Sequence, residues 1–433
     1  MVHKKIKSVL TSEDLLKHAS IMFIFSVLAS ICNYAFQVYM GRALGPKDYG
    51  IFGSLFAISY MLYLITATIQ TTGARYVSKF VGEKHEYEIN NFFRSALKRM
   101  ALLGIILFLG LLFVSNWLSS FLKIGSIDPI IILGSTLLFS TLLPVNLGVI
   151  QGLEKFKSLG LTNLVLFSSK LMIGVLLVYI GFGVNGAIAA LVFGTIFALI
   201  FSFIPIRSYL KKPDIRNHSF NFLNLYKYSI PTLIAMFCYS VPANVDVIMA
   251  KHFFSDYDAG IYVAVSVLGK IMIFLPGAIV DAMFPKVSKR YSEKKGTVHL
   301  LNLSLLYTGL GTGILAALFW FFPSQIIEIP FGAEYIGAAP LIQLYGLTTL
   351  FFSLTVVIMR FNLAIHNTKY VYLLLSFTIL EVGLLSVFNK DPMEMIRVLL
   401  VVNVVLFIAS YLYVKLNINF LKNANGVNNK YVN

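Results

Sequence analysis

The chain has 433 residues, of which 58% are hydrophobic and only 12% are charged, and its formal net charge is +16. Soluble domains use about 25% charged residues, so this composition excludes a water-soluble fold and predicts an integral membrane protein. Because Lys and Arg orient membrane proteins by collecting in cytoplasmic loops, the positive charge is explained without nucleic-acid binding.

Twelve apolar stretches of about 20 residues, the length that spans a bilayer as a helix, follow one another along the chain. Long alternating runs typical of barrel strands are absent. The sequence therefore predicts an all-α integral membrane protein with about 12 transmembrane helices. The first apolar run is too long for a signal peptide and no small-residue cleavage site follows it, so we expect it to stay uncleaved. The predicted spans are 19–41, 50–72, 100–121, 129–150, 159–180, 185–206, 228–249, 260–284, 298–322, 338–359, 370–388 and 394–414.

The basic residues alternate from loop to loop between these spans. The N-terminus, the even-numbered loops and the C-terminal tail hold 27 of the 35 Lys and Arg residues, and the opposite loops hold six. The positive-inside rule then places both termini in the cytoplasm. We expect a multi-pass protein of the plasma or inner cell membrane, with its basic loops beside anionic headgroups.

An internal repeat is the most informative feature of the sequence. The segment Arg75–Lys84 matches Pro285–Lys294, 210 positions later, at five of ten residues. At the same offset Gly50 and Ile51 match Gly260 and Ile261. The repeat indicates that the second half of the chain duplicates the first.

Six predicted helices separate the two copies, so both halves enter the membrane the same way round. The prediction is two six-helix lobes, 1–208 and 209–433, related by a parallel pseudo-two-fold axis, with a short cytoplasmic tail. Parallel repeats are a transporter architecture in which the substrate path follows the seam between the halves. The alternative is an inert duplication in a structural protein.

Signatures of catalysis are weak. The chain has no Gly-x-x-x-x-Gly-Lys-Ser/Thr phosphate loop, and its seven histidines lack the spacing of metal ligands. Asp256 and Asp258 lie in an outer loop, where carboxylates cap the following helix; the alternative is a carboxylate pair of a membrane glycosyltransferase. We expect no enzyme activity, no cofactor and no metal. Cys32 and Cys238, both in apolar runs, are predicted to be free thiols.

Five ionisable residues fall inside predicted spans, where a charge costs several kcal/mol and usually faces a cavity or a partner. Lys270 and Lys170 lie near the midplane and are candidate substrate-binding residues. Asp246, Glu381 and Asp281 are candidates for ion coupling or for structural ion pairs.

Three further residues complete the candidate substrate site. Asn33 and Gln37 lie on the first predicted helix, and Arg42 lies at its outer end. The alternatives are that the amides only join neighbouring helices and that Lys170 and Glu381, which are repeat counterparts, neutralise one another.

Two motifs resemble a known family. The run Met40–Phe52 is similar to the first external loop of polysaccharide-biosynthesis flippases, the O-antigen-flippase-like members of the multidrug/oligosaccharidyl-lipid/polysaccharide exporter superfamily. The run Gln151–Phe156 resembles the inner loop after the fourth helix of that family. The twelve-helix plan and the two lobes also match.

This resemblance implies translocation of a polyprenyl-diphosphate-linked oligosaccharide from the cytoplasmic to the outer leaflet by alternating access. Its partners would be that lipid, membrane lipids and glycan-assembly enzymes. Relatives that flip peptidoglycan precursor carry cations on helices 1, 2 and 8; Lys270 fits the last of these, but the first two helices have no interior cation. The alternatives are a cation-coupled drug exporter of the same superfamily and a membrane glycosyltransferase or polymerase.

Overall fold

The structure is a computed structural model that describes residues 2–83, 85–210, 240–293, 295–365 and 369–424, together with positions 234, 237, 238 and 367. Within its helices, the side chains at 2–20, 63–67, 86, 209–210, 274–276, 278, 281–282, 285 and 417–424 are not described.

The described part of the chain folds entirely into helices joined by short turns. Two 3₁₀ segments, Ile204–Leu210 and Ala333–Ala338, supplement the α-helices. The α-helices are α1 Val2–Gly82, α2 Glu86–Phe121, α3 Asp128–Ser140, α4 Leu143–Gly152, α5 Phe156–Tyr179, α6 Gly183–Phe203, α7 Val245–Phe253, α8 Asp256–Ile271, α9 Phe274–Ser292, α10 Val298–Phe321, α11 Pro323–Phe331, α12 Ala339–Ala364, α13 Tyr370–Val387 and α14 Pro392–Ala424.

Within the described residues, nine helical segments are long and apolar enough to span a membrane. The prediction of an all-α, multi-pass membrane protein is therefore confirmed, whereas the number twelve stays a prediction. The first two predicted spans run together in α1, and the span predicted at 228–249 lies partly outside the described residues. The span predicted at 260–284 is divided between α8 and α9.

The chain forms two compact units. Unit 1 contains residues 1–44 and 58–233, and unit 2 contains residues 45–57 and 234–433. A short segment from the first half of the chain, Gly45–Ala57, thus packs with the second half. The boundary at 208/209 between two lobes stays a prediction.

Gly45 interrupts α1 at the point where the chain passes from unit 1 to unit 2. Its backbone has φ 69° and ψ 169°, a conformation that glycine adopts without the steric cost of a Cβ atom. Pro46 follows, and because it has no N–H it fits the first turn of the helix that begins again there. The predicted loop between the first two spans is therefore a sharp kink.

Two other predicted spans are broken inside the membrane. The span predicted at 129–150 divides at Thr141 and Leu142, just before Pro144, and the span predicted at 260–284 divides at Met272 and Ile273. A proline removes a backbone donor and its ring clashes with the preceding turn, so a helix breaks or kinks there. The break after α8 leaves the end of a helix at membrane depth.

The repeat has the same structural role in both units. Val77 belongs to the core of unit 1 and its counterpart Val287 to the core of unit 2, and both are fully buried. The first core joins the end of α1 to α2, α4 and α6, and the second joins α9 to α10, α12, α13 and α14. The matching segments thus anchor equivalent helix ends.

The motif Gln151–Phe156 holds α4 in place in unit 1. Gln70 Nε2 donates to Gln151 Oε1 at 3.1 Å, and the hydroxyl of Ser78 donates to the carbonyl oxygen of Gly152 at 3.3 Å. Lys155 Nζ donates to the carbonyl oxygen of Pro205, 2.7 Å away. The motif therefore joins the loops after the second, fourth and sixth predicted spans.

Loops predicted to share a face of the membrane lie together within each unit. In unit 2 the hydroxyl of Tyr257 donates to the carbonyl oxygen of Glu334 at 2.8 Å, and the ring of Tyr49 lies 6.2 Å from that of Tyr335. These residues belong to three odd-numbered loops or their edges, whereas Gln151 and its neighbours join even-numbered ones. The grouping agrees with the predicted alternation; which face is cytoplasmic stays a prediction.

Candidate functional site: two polar clusters at membrane depth

The first polar cluster surrounds Lys170 in the middle of α5, in unit 1. Its side chain is 5% exposed, and Nζ donates a hydrogen bond to Asn33 Oδ1 on α1. The ammonium group also lies 4.7 Å from the ring centroid of Phe36 and 4.9 Å from that of Phe167. The amide oxygen and the two ring faces together stabilise a cation in an apolar region.

Glycines bring the neighbouring helices close enough to enclose this lysine. A Cβ atom on Gly194 of α6 would lie 3.0 Å from the Cβ atom of Lys170. One on Gly174 of α5 would lie 2.5 Å from the ring of Phe36. Small residues allow helices to pack closely in lipid, where burial of apolar side chains gives little net attraction. The backbone therefore covers the lysine stem and directs its amine toward Asn33.

The other predicted members of this cluster are placed differently. Gln37 is one helical turn after Asn33 on the same face; it is 6% exposed, and its Oε1 has no hydrogen-bond partner among the described residues. Arg42 is exposed and follows Asn33 by nine residues, about 14 Å along a helix. The structure thus brings Asn33 to Lys170 and leaves Arg42 at the helix end.

The second polar cluster lies in unit 2 around Asp246, which is 1% exposed. Its Oδ2 accepts hydrogen bonds from the hydroxyl of Tyr345 at 2.9 Å and from that of Tyr262 at 3.2 Å. The hydroxyl of Tyr345 is also 3.1 Å from that of Ser266. Oδ1 of Asp246 has no partner within the part of the chain that is described. This carboxylate is therefore held through one oxygen, while the other oxygen is buried without a partner among the described residues.

Lys270 lies beside this carboxylate and donates from Nζ to Asn244 Oδ1 at 3.1 Å. Each charge occupies a helix end that suits it. Asp246 is in the first turn of α7, and Lys270 is in the last turn of α8. The partial charges of a helix favour anions at its N-terminus and cations at its C-terminus, so the breaks around both helices help to place these groups in the membrane.

Glu381 of α13 completes the second cluster. It is 1% exposed, and its Oε1 has no hydrogen-bond partner in the described residues. The side chain lines a small cavity together with Cys238, Thr355 and Thr378. A buried carboxyl oxygen without a partner costs free energy unless it carries a proton, water or a cation. Glu381 is therefore a candidate binder of one of these.

The two clusters contain residues that are counterparts in the sequence repeat but differ in charge. Lys170 and Glu381 are repeat counterparts, as are Gln37 and Asp246. Where unit 1 has a lysine and an amide, unit 2 has two carboxylates. The structure gives Lys170 a partner within unit 1 and places Glu381 among the residues of unit 2; the predicted ion pair between them stays a hypothesis. The side chain of Asp281 lies outside the described residues.

Sequence reasoning did not single out Tyr262, Ser266 and Tyr345. Tyr262 and Ser266 precede Lys270 by eight and four residues, so these two residues and Lys270 share one face of α8. This polar stripe on an otherwise apolar helix was the available signal. Tyr345 carries no comparable pattern. Among the described residues, no group of three His, Cys, Asp or Glu side chains is arranged to hold a metal ion.

The two carboxylates predicted to lie in an outer loop, Asp256 and Asp258, have separate contacts. The hydroxyl of Ser255, the residue before α8, accepts a hydrogen bond from the backbone N–H of Asp258 and donates one to its Oδ2, 2.7 Å away. Ser255 is therefore the N-cap of α8, and the Asp258 carboxylate orients its hydroxyl. Asp256 instead pairs with the fully buried Lys251. Both carboxylates are thus engaged in structure.

Comparison with known proteins identifies relatives of the same architecture. An uncharacterized membrane protein of Methanocaldococcus jannaschii is 25% identical over 336 residues, which are 74% of this chain and 78% of that protein. An inward-facing multidrug resistance MATE family transporter superposes with a TM-score of 0.77 at 14% identity, over 91% of this chain and 96% of its own. The lipid II flippase MurJ, in an inward closed conformation, superposes with a TM-score of 0.69 at 17% identity, over 91% of this chain and 87% of its own.

A family model described as polysaccharide biosynthesis protein matches residues 39–340. The match begins next to the first of the two motifs and extends through the second, and it covers well over half of the chain. The helical membrane fold agrees with it. The protein therefore belongs to the polysaccharide biosynthesis protein family.

Proposed function

We propose that this protein is a flippase that moves a polyprenyl-diphosphate-linked oligosaccharide from the cytoplasmic to the outer leaflet by alternating access. A lipid-linked sugar cannot cross unaided, because its hydroxyl and diphosphate groups would enter hydrocarbon without hydrogen-bond partners. A protein path that supplies polar and cationic groups removes this barrier, while the prenyl tail stays in lipid.

The observation that carries the proposal is the way in which the two membrane-embedded lysines are held. Lys170 donates to Asn33, and Lys270 donates to Asn244. An asparagine oxygen orients an ammonium group without cancelling its charge, so Lys170 can still attract a diphosphate. Lys270 also lies beside Asp246, and a proton or cation bound to that carboxylate would leave the charge of Lys270 available to the diphosphate. Lysine is a good point-charge ligand for phosphate. In this proposal both lysines bind the headgroup as it passes.

The acids of unit 2 supply a means of coupling. Asp246 and Glu381 each have one oxygen without a partner among the described residues. A proton or a monovalent cation bound there in one state and released in the other would link transport to an ion gradient. The membrane potential is an additional source, worth about 2.3 kcal/mol per charge at 100 mV. Their relative contributions are measurable by imposing each gradient separately.

The test is flipping in proteoliposomes. Polyprenyl-diphosphate oligosaccharide is included in the bilayer, and an impermeant sugar-reactive probe reports how much reaches the opposite leaflet. We expect protein-dependent flipping that falls at least tenfold in Lys270→Met. Lys286→Met is the matched control, because it removes the same charge at an exposed position of α9. Wild-type protein that is folded but flips no glycan-linked lipid would contradict the proposal.

A drug or organic-cation exporter is the second candidate function. The observation that favours it is the pair of buried carboxylates, Asp246 and Glu381, in the same unit. An exporter would show gradient-driven efflux of lipophilic cations from the same proteoliposomes, and Asp246→Asn would abolish it. Efflux without lipid flipping would favour this function over the first.

A further inference from the structure

The family motif Met40–Phe52 has a structural role that none of the binding residues explains. Its last part belongs to the segment Gly45–Ala57, called here the latch segment, which packs within unit 2 although Leu44 and Ile58 on either side belong to unit 1. Any movement of one unit relative to the other must therefore either bend this segment or separate it from its neighbours. We propose that the latch segment is a releasable seal that docks on α8 in one transport state and leaves it in the other.

The docked contact is built from glycines and backbone. A Cβ atom on Gly260 would lie 1.7 Å from the carbonyl oxygen of Pro46, and one on Gly50 would lie 2.9 Å from the carbonyl oxygen of Asp256. A Cβ atom on Gly53 would lie 2.4 Å from a methyl group of Val263. The two helices thus touch along their backbones, and few interlocked side chains have to change rotamer when they separate.

The contact is two-fold symmetric with respect to the repeat. Pro46 and Asp256 are 210 positions apart, and so are Gly50 and Gly260. Gly50 therefore approaches Asp256 in the same way as its counterpart Gly260 approaches Pro46, the counterpart of Asp256. Contacts of this self-complementary kind are the rule at two-fold interfaces. The motif and its repeat counterpart accordingly encode one shared contact.

The opposite side of the latch segment is held by aromatic rings. Tyr49 is fully buried, with its ring 5.9 Å from that of Phe52, 5.7 Å from Phe331 and 6.2 Å from Tyr335. Its hydroxyl has no hydrogen-bond partner among the described residues. Since a buried hydroxyl without a partner opposes burial, the docked state is weaker than its apolar packing alone would make it. This weakness suits a contact that has to open.

Gly45 provides the hinge. Its left-handed φ of 69° interrupts α1 where the chain leaves unit 1, and hinge motions concentrate in a few such residues at the ends of helices. Lys251 of α7 pairs with Asp256 of α8 and so joins the start of α8 to the neighbouring helix of unit 2. In this proposal the latch segment moves about Gly45, and α8 stays in place as the surface on which it docks.

The first experiment locks the contact with a disulfide. A Cβ atom on Gly53 lies 3.0 Å from that of Val263, and the atoms that it approaches most closely belong to the Val263 side chain. Replacing both residues by cysteine removes the two valine methyl groups, and a small shift brings the Cβ atoms to the roughly 3.8 Å typical of a disulfide. In full-length protein with Cys32 and Cys238 replaced by alanine, we expect Gly53→Cys/Val263→Cys to cross-link on oxidation, to lose at least tenfold in flipping and to recover with dithiothreitol. Cross-linked protein that still flips, or protein that never cross-links, would overturn the proposal.

A control pair separates this effect from a general effect of cross-linking. A Cβ atom on Gly186 lies 3.0 Å from that of Leu177, and both residues belong to unit 1. Gly186→Cys/Leu177→Cys therefore joins two helices that move together. We expect its oxidation to leave flipping unchanged.

The second experiment needs no substrate, so it distinguishes failure of the latch from failure of the proposed flippase function, on which the first readout depends. Ser54 is fully buried in the latch segment. In nanodiscs, with Cys32 and Cys238 again replaced by alanine, Ser54→Cys reacts with a maleimide only when the segment separates from α8. We expect Tyr49→Phe to slow labelling about fivefold, since it removes the unsatisfied hydroxyl. Gly260→Ala should accelerate labelling at least tenfold.

Slower labelling in Tyr49→Phe and faster labelling in Gly260→Ala would support the latch proposal even if no lipid-linked sugar were flipped. Equal labelling of Ser54→Cys in all backgrounds would overturn it, even if the protein proved to be a flippase. If the reduced double-cysteine protein were inactive, the labelling rates alone would decide.

Discussion

Replacing Lys170 by methionine should separate a transport role from a structural one. Methionine is unbranched like lysine and one atom shorter, so it fills the space of the lysine stem. It removes the ammonium group, together with its hydrogen bond to Asn33 and its contacts with Phe36 and Phe167. If Lys170 binds a diphosphate, the lost charge-assisted contact is worth about 1.5–3 kcal/mol, which corresponds to about 10- to 150-fold weaker binding. We expect flipping to fall by a factor in that range.

The free energy of unfolding should change much less. A lysine at the centre of a membrane helix costs about 2.5–3.5 kcal/mol on insertion scales. Against this cost, each cation–π contact returns about 0.5–2 kcal/mol and the hydrogen bond about 1.5–3 kcal/mol. The three contacts share one ammonium group, so their gains do not add in full and their joint gain is of the same size as the cost. We therefore expect the unfolding free energy to shift by no more than about 2 kcal/mol.

The assay combines flipping in proteoliposomes with thermal unfolding in detergent. Lys157→Met is the matched control, since Lys157 is an exposed residue at the start of the same helix; it should leave both readouts unchanged. Wild-type flipping in Lys170→Met would refute the reasoning. Loss of folding in that variant would show instead that the lysine is needed for structure.

Three further outcomes follow from the same structure. Asp246→Asn keeps an oxygen for the two tyrosine hydroxyls but removes the charge, so flipping should no longer respond to an imposed proton or sodium gradient; a preserved response would exclude this carboxylate from coupling. Tyr345→Phe removes the 2.9 Å hydrogen bond to Asp246 and should lower the unfolding free energy by about 1–2 kcal/mol, seen as a lower melting midpoint. Gly152→Ala would place a Cβ atom 2.6 Å from that of Val77 and should cost about 1–3 kcal/mol, whereas Gly110→Ala, with open space around it, should stabilise its helix by about 0.5–1 kcal/mol. Equal melting midpoints for the two alanine variants would contradict the close packing of α4 on α1.

The membrane-spanning helices could be predicted from the sequence because they follow from the hydrophobicity averaged over about twenty residues. Spans such as 298–322 and 370–388 were located to within a few residues of α10 and α13, since twenty apolar residues have one favourable conformation in lipid. The repeat was readable because Val77 and Val287 sit in matching segments. The breaks after α3 and α8 were not predicted, because apolarity averaged over a window does not reveal a turn in the middle.

The candidate site was less predictable because it depends on side chains distant in sequence. Lys170, Lys270, Asp246 and Glu381 stood out as charges in apolar runs. Which partner each one meets is decided by helix packing, and the approach of Tyr345 to Asp246 joins residues 99 positions apart. A single sequence contains no signal for that contact.

The symmetry of the glycine contact bears on how such a chain could arise. A half-length ancestor with one copy of the Gly50 region would already present both sides of the contact, since each copy would meet the same region of a second, identical molecule. Duplication and fusion of its gene would preserve a working contact without any new surface. Later divergence, such as valine at 263 opposite glycine at 53, would then be free to adjust the two sides independently.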